Sequence, residues 1–329
     1  MIDNLIVIPG APKSGTTSLY NTLSLQPFIK ESSIKEPHFF SLDDKTIYNN
    51  LDWYERYYGH KEKWNIDAST TYLYTDEAIH HIKNYIKNPK IIIILRDPAK
   101  RIFSQYQHLR KKTPKSLDLR SLDYIVKNIH GGNYNNIIES EKKLINKSIN
   151  NKYIKANYYN EDYLQKVNNA PFNSYFRDKM LIYKYFCCSL YSLFVPRFLE
   201  VFPKNSKVIF FEDFKENPSY KIKEILDFLG ISISLDKVNV SEKRYTTLVP
   251  TNHFTRMIWH MRTKKIIPDW LISILKNIGF NKTLLSMKQS ALIKPELNKE
   301  LYYNIRSKLD FEYDYWLDNY PHLRNSWDY

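Results

Sequence analysis

Apolar residues along this chain fall into short β-branched runs separated by longer stretches with helical spacing. Leu5 to Ile8 is the first run, and Lys90-Ile-Ile-Ile-Ile-Leu95 is the strongest; without polar alternation it predicts a strand covered on both faces. Trp64–Asp67 and Lys207–Phe211 are shorter runs of the same kind. Spacings of three and four predict helices over Ser18–Leu25, from Pro98 to about Arg110, and through Leu190, Phe194, Phe198 and Phe202. Two more follow, through Ile222, Ile225, Leu226 and Leu229 and through Leu301, Ile305 and Leu309. The punctuation agrees: Gln26-Pro27 and Pro203 stop helices, Pro98 and Asn217-Pro218 open them, and Gly230 closes one. Strands alternating with helices predict an α/β fold, a parallel β-sheet flanked by helices.

The junctions between these elements hold the candidate chemistry. Pro9 to Leu19, PGAPKSGTTSL, follows the first strand and runs into a helix opening at Thr16 or Thr17. A strand, a Gly-containing turn and a helix start aim several backbone N–H groups at one anion. The spacing approaches the Walker A loop GxxxxGK[ST], but Thr16 stands where that motif has its Lys, and the loop's one Lys is Lys13. An ATPase loop is therefore disfavoured. Next, Lys35-Glu36-Pro37-His38-Phe39-Phe40 is irregular because of Pro37, and its paired Phe residues predict a loop pinned to the core. Glu36 and His38 then sit on a fixed backbone, either as chemistry or as ordinary loop polar residues. Asp67-Ala-Ser-Thr-Thr71 ends the third candidate strand, where ligands collect in open α/β sheets. Arg96 ends the strongest strand, and Arg101, Ser104, Gln105 and His108 share a face of the helix after it, so Arg96 with a hydroxyl two turns on forms a second candidate anion clamp.

Composition narrows the partner. With 329 residues and 43% apolar content a sizeable core is available, and disorder throughout is excluded. Against 35 Asp and Glu stand 49 Lys and Arg, a net charge of +14, so the partner is expected to be anionic: nucleotide, acidic glycan, anionic lipid or nucleic acid. An excess of Lys, Asn, Ile and Tyr, of the sort an AT-rich genome produces, supplies part of this bias. Cys187 and Cys188 are adjacent and match no zinc-ligand spacing, which suits a reducing compartment. No basic-then-apolar leader opens the sequence and no apolar run reaches about twenty residues, so a cytoplasmic chain, at most peripheral at a membrane surface, is expected. Residues 111 to 180, rich in Asn, Lys, Tyr and Ser, read as a helical and loop insertion within one domain spanning 1 to 329, and residues 250 to 329 as a C-terminal helical extension. Met257 to Phe280 mixes Trp259 and Trp270 with Arg262, Lys264 and Lys265, a core helix pair with a solvated basic face or a patch for anionic lipid.

Three stretches together, GAPKSGTTSL, KEPHFF and IIIILRDPAKRIFSQY, resemble sulfotransferases that use 3′-phosphoadenosine 5′-phosphosulfate (PAPS), in the branch of heparan-type glycan enzymes and their bacterial relatives. NIDASTTYLY and VIFFEDFKENP extend the similarity over most of residues 1 to 235. The resemblance implies the P-loop-type sulfotransferase fold, PAPS as co-substrate and its bisphosphate PAP as product. It implies that Lys13, Ser14, Gly15, Thr16, Thr17 and Ser18 bind the 5′-phosphosulfate, with Lys13 on the departing phosphate. Arg96 and Ser104 match the 3′-phosphate clamp, and Lys243 and Arg244 loosely match a basic loop over the nucleotide. Glu36 matches the general base and His38 an assisting neighbour, with Lys35 setting the local potential; a glycan or glycolipid hydroxyl, less favourably an amine, is the implied acceptor, and no metal is required. The sequence departs from the family's pattern at Ser41, Asp67 and Ser189, which stand where relatives have Asp, Glu and Gly. Two other readings remain beside this one: a P-loop kinase with Asp67 as its acid, and a basic binding module, for which no nucleic-acid-reading motif is present.

Overall fold

A computed structural model describes residues 2–111, 118–151, 184–240, 249–250, 292–293 and 295–329. In chain order its elements begin with β1 (Leu5–Val7), α1 (Thr16–Ser24), β2 (Ile29–Lys30), α2 (Asp44–Asn49), α3 (Leu51–Tyr58), β3 (Trp64–Asp67), α4 (Asp76–Tyr85), β4 (Lys90–Leu95) and α5 (Pro98–Lys111). They continue with α6 (Leu122–Lys127), α7 (Tyr134–Asn150), α8 (Tyr191–Val201), β5 (Ser206–Phe210), α9 (Phe211–Glu216) and α10 (Pro218–Phe228). A short antiparallel pair, β6 (Val249–Pro250) and β7 (Leu292–Ile293), precedes α11 (Lys299–Arg306) and α12 (Asp310–Asn319). The main sheet has five parallel strands in the order β2-β3-β1-β4-β5. Its central strand β1 thus lies between β3 and β4, and the segments leaving these three strands emerge side by side at one edge of the sheet, where open α/β folds bind ligands.

The β4 run packs as its sequence predicts. Ile91, Ile93 and Leu95 join a core with Phe39, Phe40, Tyr54, Ile102 and Phe198, while Ile92 and Ile94 join a second core with Leu19, Leu23, Ile222 and Leu226. Successive residues point to opposite faces of a strand, and both faces of this one are covered. Asn217 caps α10 by accepting from the Tyr220 N–H at 3.2 Å, with Pro218 in the first turn. The fifth strand stops one residue short of its expected end, because Phe211 opens α9 instead. Several helices, α2, α3, α4 and α9 among them, have no counterpart in the apolar pattern; α3 buries Trp53, Tyr54 and Tyr58, whose aromatic stripe an aliphatic spacing search passes over.

The C-terminal helices lie against the turn that follows β4. Asp97, fully buried, accepts from the Tyr302 and Tyr313 hydroxyls, each at 2.8 Å, and Glu212 accepts from Trp327 Nε1 at 3.1 Å and the Asp97 N–H at 3.3 Å. Residues from α11, α12 and the segment after them therefore brace the stretch that begins with Arg96. Among the described residues no helix is long and apolar enough to cross a membrane. Residues 257–280 lie outside the described residues, as do residues 152–183.

Candidate active site

The loop from Pro9 to Gly15 is tied to both neighbouring strands through its backbone. The Ile8 N–H donates to Asp67 O at 2.8 Å and the Ala11 N–H to Ile94 O at 2.8 Å, while the Leu73 N–H donates to Pro9 O at 3.0 Å. Lys13 (φ 69°) and Gly15 (φ 94°) both take the left-handed conformation, which turns the chain sharply into α1. Gly15 is required there twice over: besides its φ, a Cβ would lie 2.4 Å from Cδ2 of Phe211. The helix then begins without a capping side chain and without an acid in its first turn. Its leading N–H groups lack intrahelical partners, and the positive end of its dipole is unopposed. Ser14 is fully buried with no hydrogen-bond partner for Oγ, and Thr16 is buried while Thr17 and Ser18 are half-buried.

Arg96 closes the far side of this turn. Its Nη1 donates to Lys13 O at 3.2 Å and its guanidinium lies 4.9 Å from the centre of the Phe211 ring, while Nε is buried without a partner. Burial lowers its pKa, against the pull of Glu212 and Asp97. Tyr191 holds the backbone here by donating to Arg96 O at 3.1 Å. Ser104 lies half-buried about two turns into α5. Arg101, on the same helix, is fully buried, donates from Nε to Ser189 Oγ at 2.7 Å and bonds Tyr185 O, and so braces the scaffold. Lys243 and Arg244 lie outside the described residues.

The stretch from Lys35 to Ser41 is docked against the end of β3. Phe39 and Phe40 are fully buried, and the Ala68 N–H donates to Lys35 O at 3.0 Å. Glu36 is gripped at both oxygens, Oε1 by the Lys35 ammonium and Oε2 by the Thr70 hydroxyl at 3.3 Å, with His38 Nε2 3.7 Å from Oε2. Burial alone would raise its pKa, but the Lys35 charge foremost, with His38 and these hydrogen bonds, more than offsets that, and Glu36 stays below the usual carboxylate range. His38 is held down to about 4 by burial, so it is neutral at pH 7.

Asp67 is turned inward rather than toward a ligand. Its Oδ2 accepts from Tyr54 OH at 2.8 Å and Tyr72 OH at 2.9 Å, and Oδ1 from the Ser69 N–H at 3.0 Å and Ser69 Oγ at 2.6 Å. With its oxygens committed to these donors, it does not offer the metal-facing carboxylate that a kinase would need. Among the described residues no group of three or more His, Cys, Asp and Glu could hold a metal ion. The Asp67 network and the Thr70 contact escape residue-by-residue reading; the DASTT run at a strand end was the signal that could have pointed to them.

An open parallel sheet with a glycine turn and uncapped helix at its central strand defines a nucleotide-type α/β protein. A sequence model of the sulfotransferase domain matches residues 3–270, and the chain belongs to that family. Among curated proteins it is 32% identical over 120 residues to mouse (Mus musculus) heparan sulfate glucosamine 3-O-sulfotransferase 3B1, covering 36% of this chain and 30% of that one. It is 28% identical over 127 residues to the bifunctional heparan sulfate N-deacetylase/N-sulfotransferase 1 of Caenorhabditis elegans, covering 37% and 15% respectively. The matched regions thus span less than a third of either relative. Among solved structures, a sulfotransferase from Alicyclobacillus acidocaldarius superposes with a TM-score of 0.51 at 24% identity, over 74% of this chain and 87% of that one, and shares the fold.

Proposed function

We propose that this chain transfers the sulfuryl group of PAPS to a hydroxyl, or less favourably an amine, of a carbohydrate acceptor, with Glu36 as general base. The observation that carries this reading is the placement of Glu36: an ionised carboxylate, held at both oxygens, on a segment bonded to the strand beside the anion-cradling loop. The cradle suits the nucleotide. Unpaired helix N–H groups, the buried orphan Ser14 Oγ and the orphan Arg96 Nε are all polar donors that an anion would satisfy.

In the reaction the acceptor oxygen attacks sulfur while the bond from sulfur to the bridging phosphate oxygen breaks. The acceptor proton passes to Glu36, and the electron pair leaves with adenosine 3′,5′-bisphosphate. Lys13 and the first turn of α1 stabilise the charge that grows on the departing phosphate. Arg96, with Ser104, binds the 3′-phosphate; a guanidinium that burial disfavours gains most from an added anion. A carbohydrate acceptor is favoured by the names of the curated relatives, which include both O- and N-sulfotransferases of heparan sulfate.

The test is Glu36→Gln, assayed with PAPS carrying labelled sulfur and oligosaccharides bearing free hydroxyl and amino groups. Removing a general base is expected to slow transfer by about 10²- to 10⁴-fold while the affinity for the bisphosphate is kept. Equal loss of binding and transfer would remove Glu36 from that role.

A further inference from the structure

We propose that Thr71 and Ser69, with Asp67 behind them, are positioning residues that hold His38 as the neutral Nε2–H tautomer aimed at Glu36. The inference rests on Glu36 being the base and concerns what keeps its neighbour in place. The Thr71 hydroxyl lies 2.8 Å from His38 Nδ1 and 3.0 Å from Ser41 Oγ; Ser41 Oγ also lies 3.4 Å from Thr75 Oγ1, whose own proton goes to Thr71 O at 3.0 Å. Two proton arrangements are open, of which the first spends the Ser41 proton on Thr71 and leaves the 3.4 Å link to Thr75 without one. In one, Thr71 donates to Nδ1 and the imidazole proton is on Nε2. In the other, Nδ1 donates to Thr71, Thr71 to Ser41, and Ser41 across the longer link to Thr75.

Glu36 decides between them. Its Oε2 lies 3.7 Å from Nε2, and the second arrangement would set a nitrogen lone pair against an ionised carboxylate. The first sets an N–H there instead, so Thr71 is the donor and Nδ1 the acceptor. The other ring nitrogen's partner fixes the tautomer, as it does for histidines that serve metals and catalytic centres.

Ser69 does the same for the backbone. His38 sits at φ 53°, uncommon for a residue with a side chain, and its N–H donates to Ser69 Oγ at 2.8 Å. Ser69 can accept there because its single proton is given to Asp67 Oδ1 at 2.6 Å, and Asp67 can take it because it is a carboxylate receiving hydrogen bonds from donors on every side. Burial pushes Asp67 up to about 6, and those donors keep it ionised at neutral pH. The buried acid thus orients a hydroxyl, the hydroxyl orients a backbone, and that backbone carries the ring that faces the base.

The experiment is ¹⁵N NMR of the histidine-labelled full chain, with the His38 signals assigned by their loss in His38→Gln, beside steady-state kinetics of Thr71→Val, Thr71→Ser and Ser69→Ala. The wild type is expected to show the Nε2–H tautomer. Thr71→Val should give mixed tautomers and a kcat lower by up to about a hundredfold, as for misplacement of a reacting group, with KM for PAPS unchanged. Thr71→Ser should restore both, and Ser69→Ala should lower kcat without changing bisphosphate affinity. A wild-type Nδ1–H tautomer, or a Thr71→Val protein with unchanged spectrum and kcat, would overturn the proposal. The wild-type spectrum needs no turnover and no variant that folds, so it decides the tautomer even if no sulfuryl transfer is found, a failure that would fall on the reaction.

Discussion

Glu36 owes its charge to its neighbour in sequence. The Lys35 ammonium bonds Oε1 and lies 5.8 Å from the centre of the Tyr20 ring, which helps keep it over the carboxylate. A base acts only when ionised, so with Glu36 below the usual carboxylate range its own titration should slow transfer only below that range, separate from any fall that protonation of Asp67 brings at about pH 6. Lys35→Met removes the foremost lowering influence while burial still raises the pKa, so the acidic limb of kcat against pH should move upward. Profiles of the two proteins check this, and coincident limbs would show that Lys35 does not set the charge of Glu36. At this scale the sequence was legible where a chemical type implied a contact: paired Phe residues had to be buried, which pins the stretch that carries Glu36 and His38. Asp67 was not legible in that way, because two of its donors, Tyr54 and Tyr72, lie on separate elements and nothing in DASTT says which oxygens face inward.

The strand, turn and helix of the cradle act as one element. Gly15 supplies both the left-handed turn and the close approach to Phe211, so Gly15→Ala, which at a compatible site would stabilise by up to about 1 kcal/mol, should here destabilise by more than that. The loss should fall on the loop. A lower melting temperature together with loss of stabilisation by the bisphosphate is expected, and a variant that melts lower yet binds normally would show that the turn does not shape the anion site. Elements with a strong local pattern, such as β4 and α10, were readable from one stretch of sequence because burial on both faces or a cap with Pro leaves a local mark. The two-residue β2 leaves almost none, and it exists because β3 offers it an edge to pair with.

Across the whole molecule, the C-terminal helices lock onto α8. Glu312, fully buried on α12, accepts from the Ser192 N–H at 2.8 Å, from Ser192 Oγ at 2.5 Å and from Trp316 Nε1 at 2.6 Å. Burial raises its pKa from 4.5 to about 7, against these hydrogen bonds. The folded state then holds that proton more tightly than the unfolded chain does, so this group's contribution to stability declines as pH rises from about 4.5 through about 7. Glu312→Gln keeps an acceptor and removes the ionisation. The wild type should therefore lose melting temperature relative to the variant between pH 5 and pH 8, and parallel curves would contradict the shift. No periodicity foretold this packing, since a contact between residues 192 and 312 is a property of the closed fold. The central claim is that the cradle and Arg96 form a site for a 3′-phosphorylated adenine nucleotide, and a thermal shift tests it most directly. The measurement compares adenosine 3′,5′-bisphosphate with AMP and with ATP plus magnesium, on the wild type and on Arg96→Ala. The expected result is stabilisation by the bisphosphate alone, about 2.7 kcal/mol at a hundredfold excess over its dissociation constant, with the preference lost in the variant. Stabilisation by ATP with magnesium instead, or by none of the three, would contradict it.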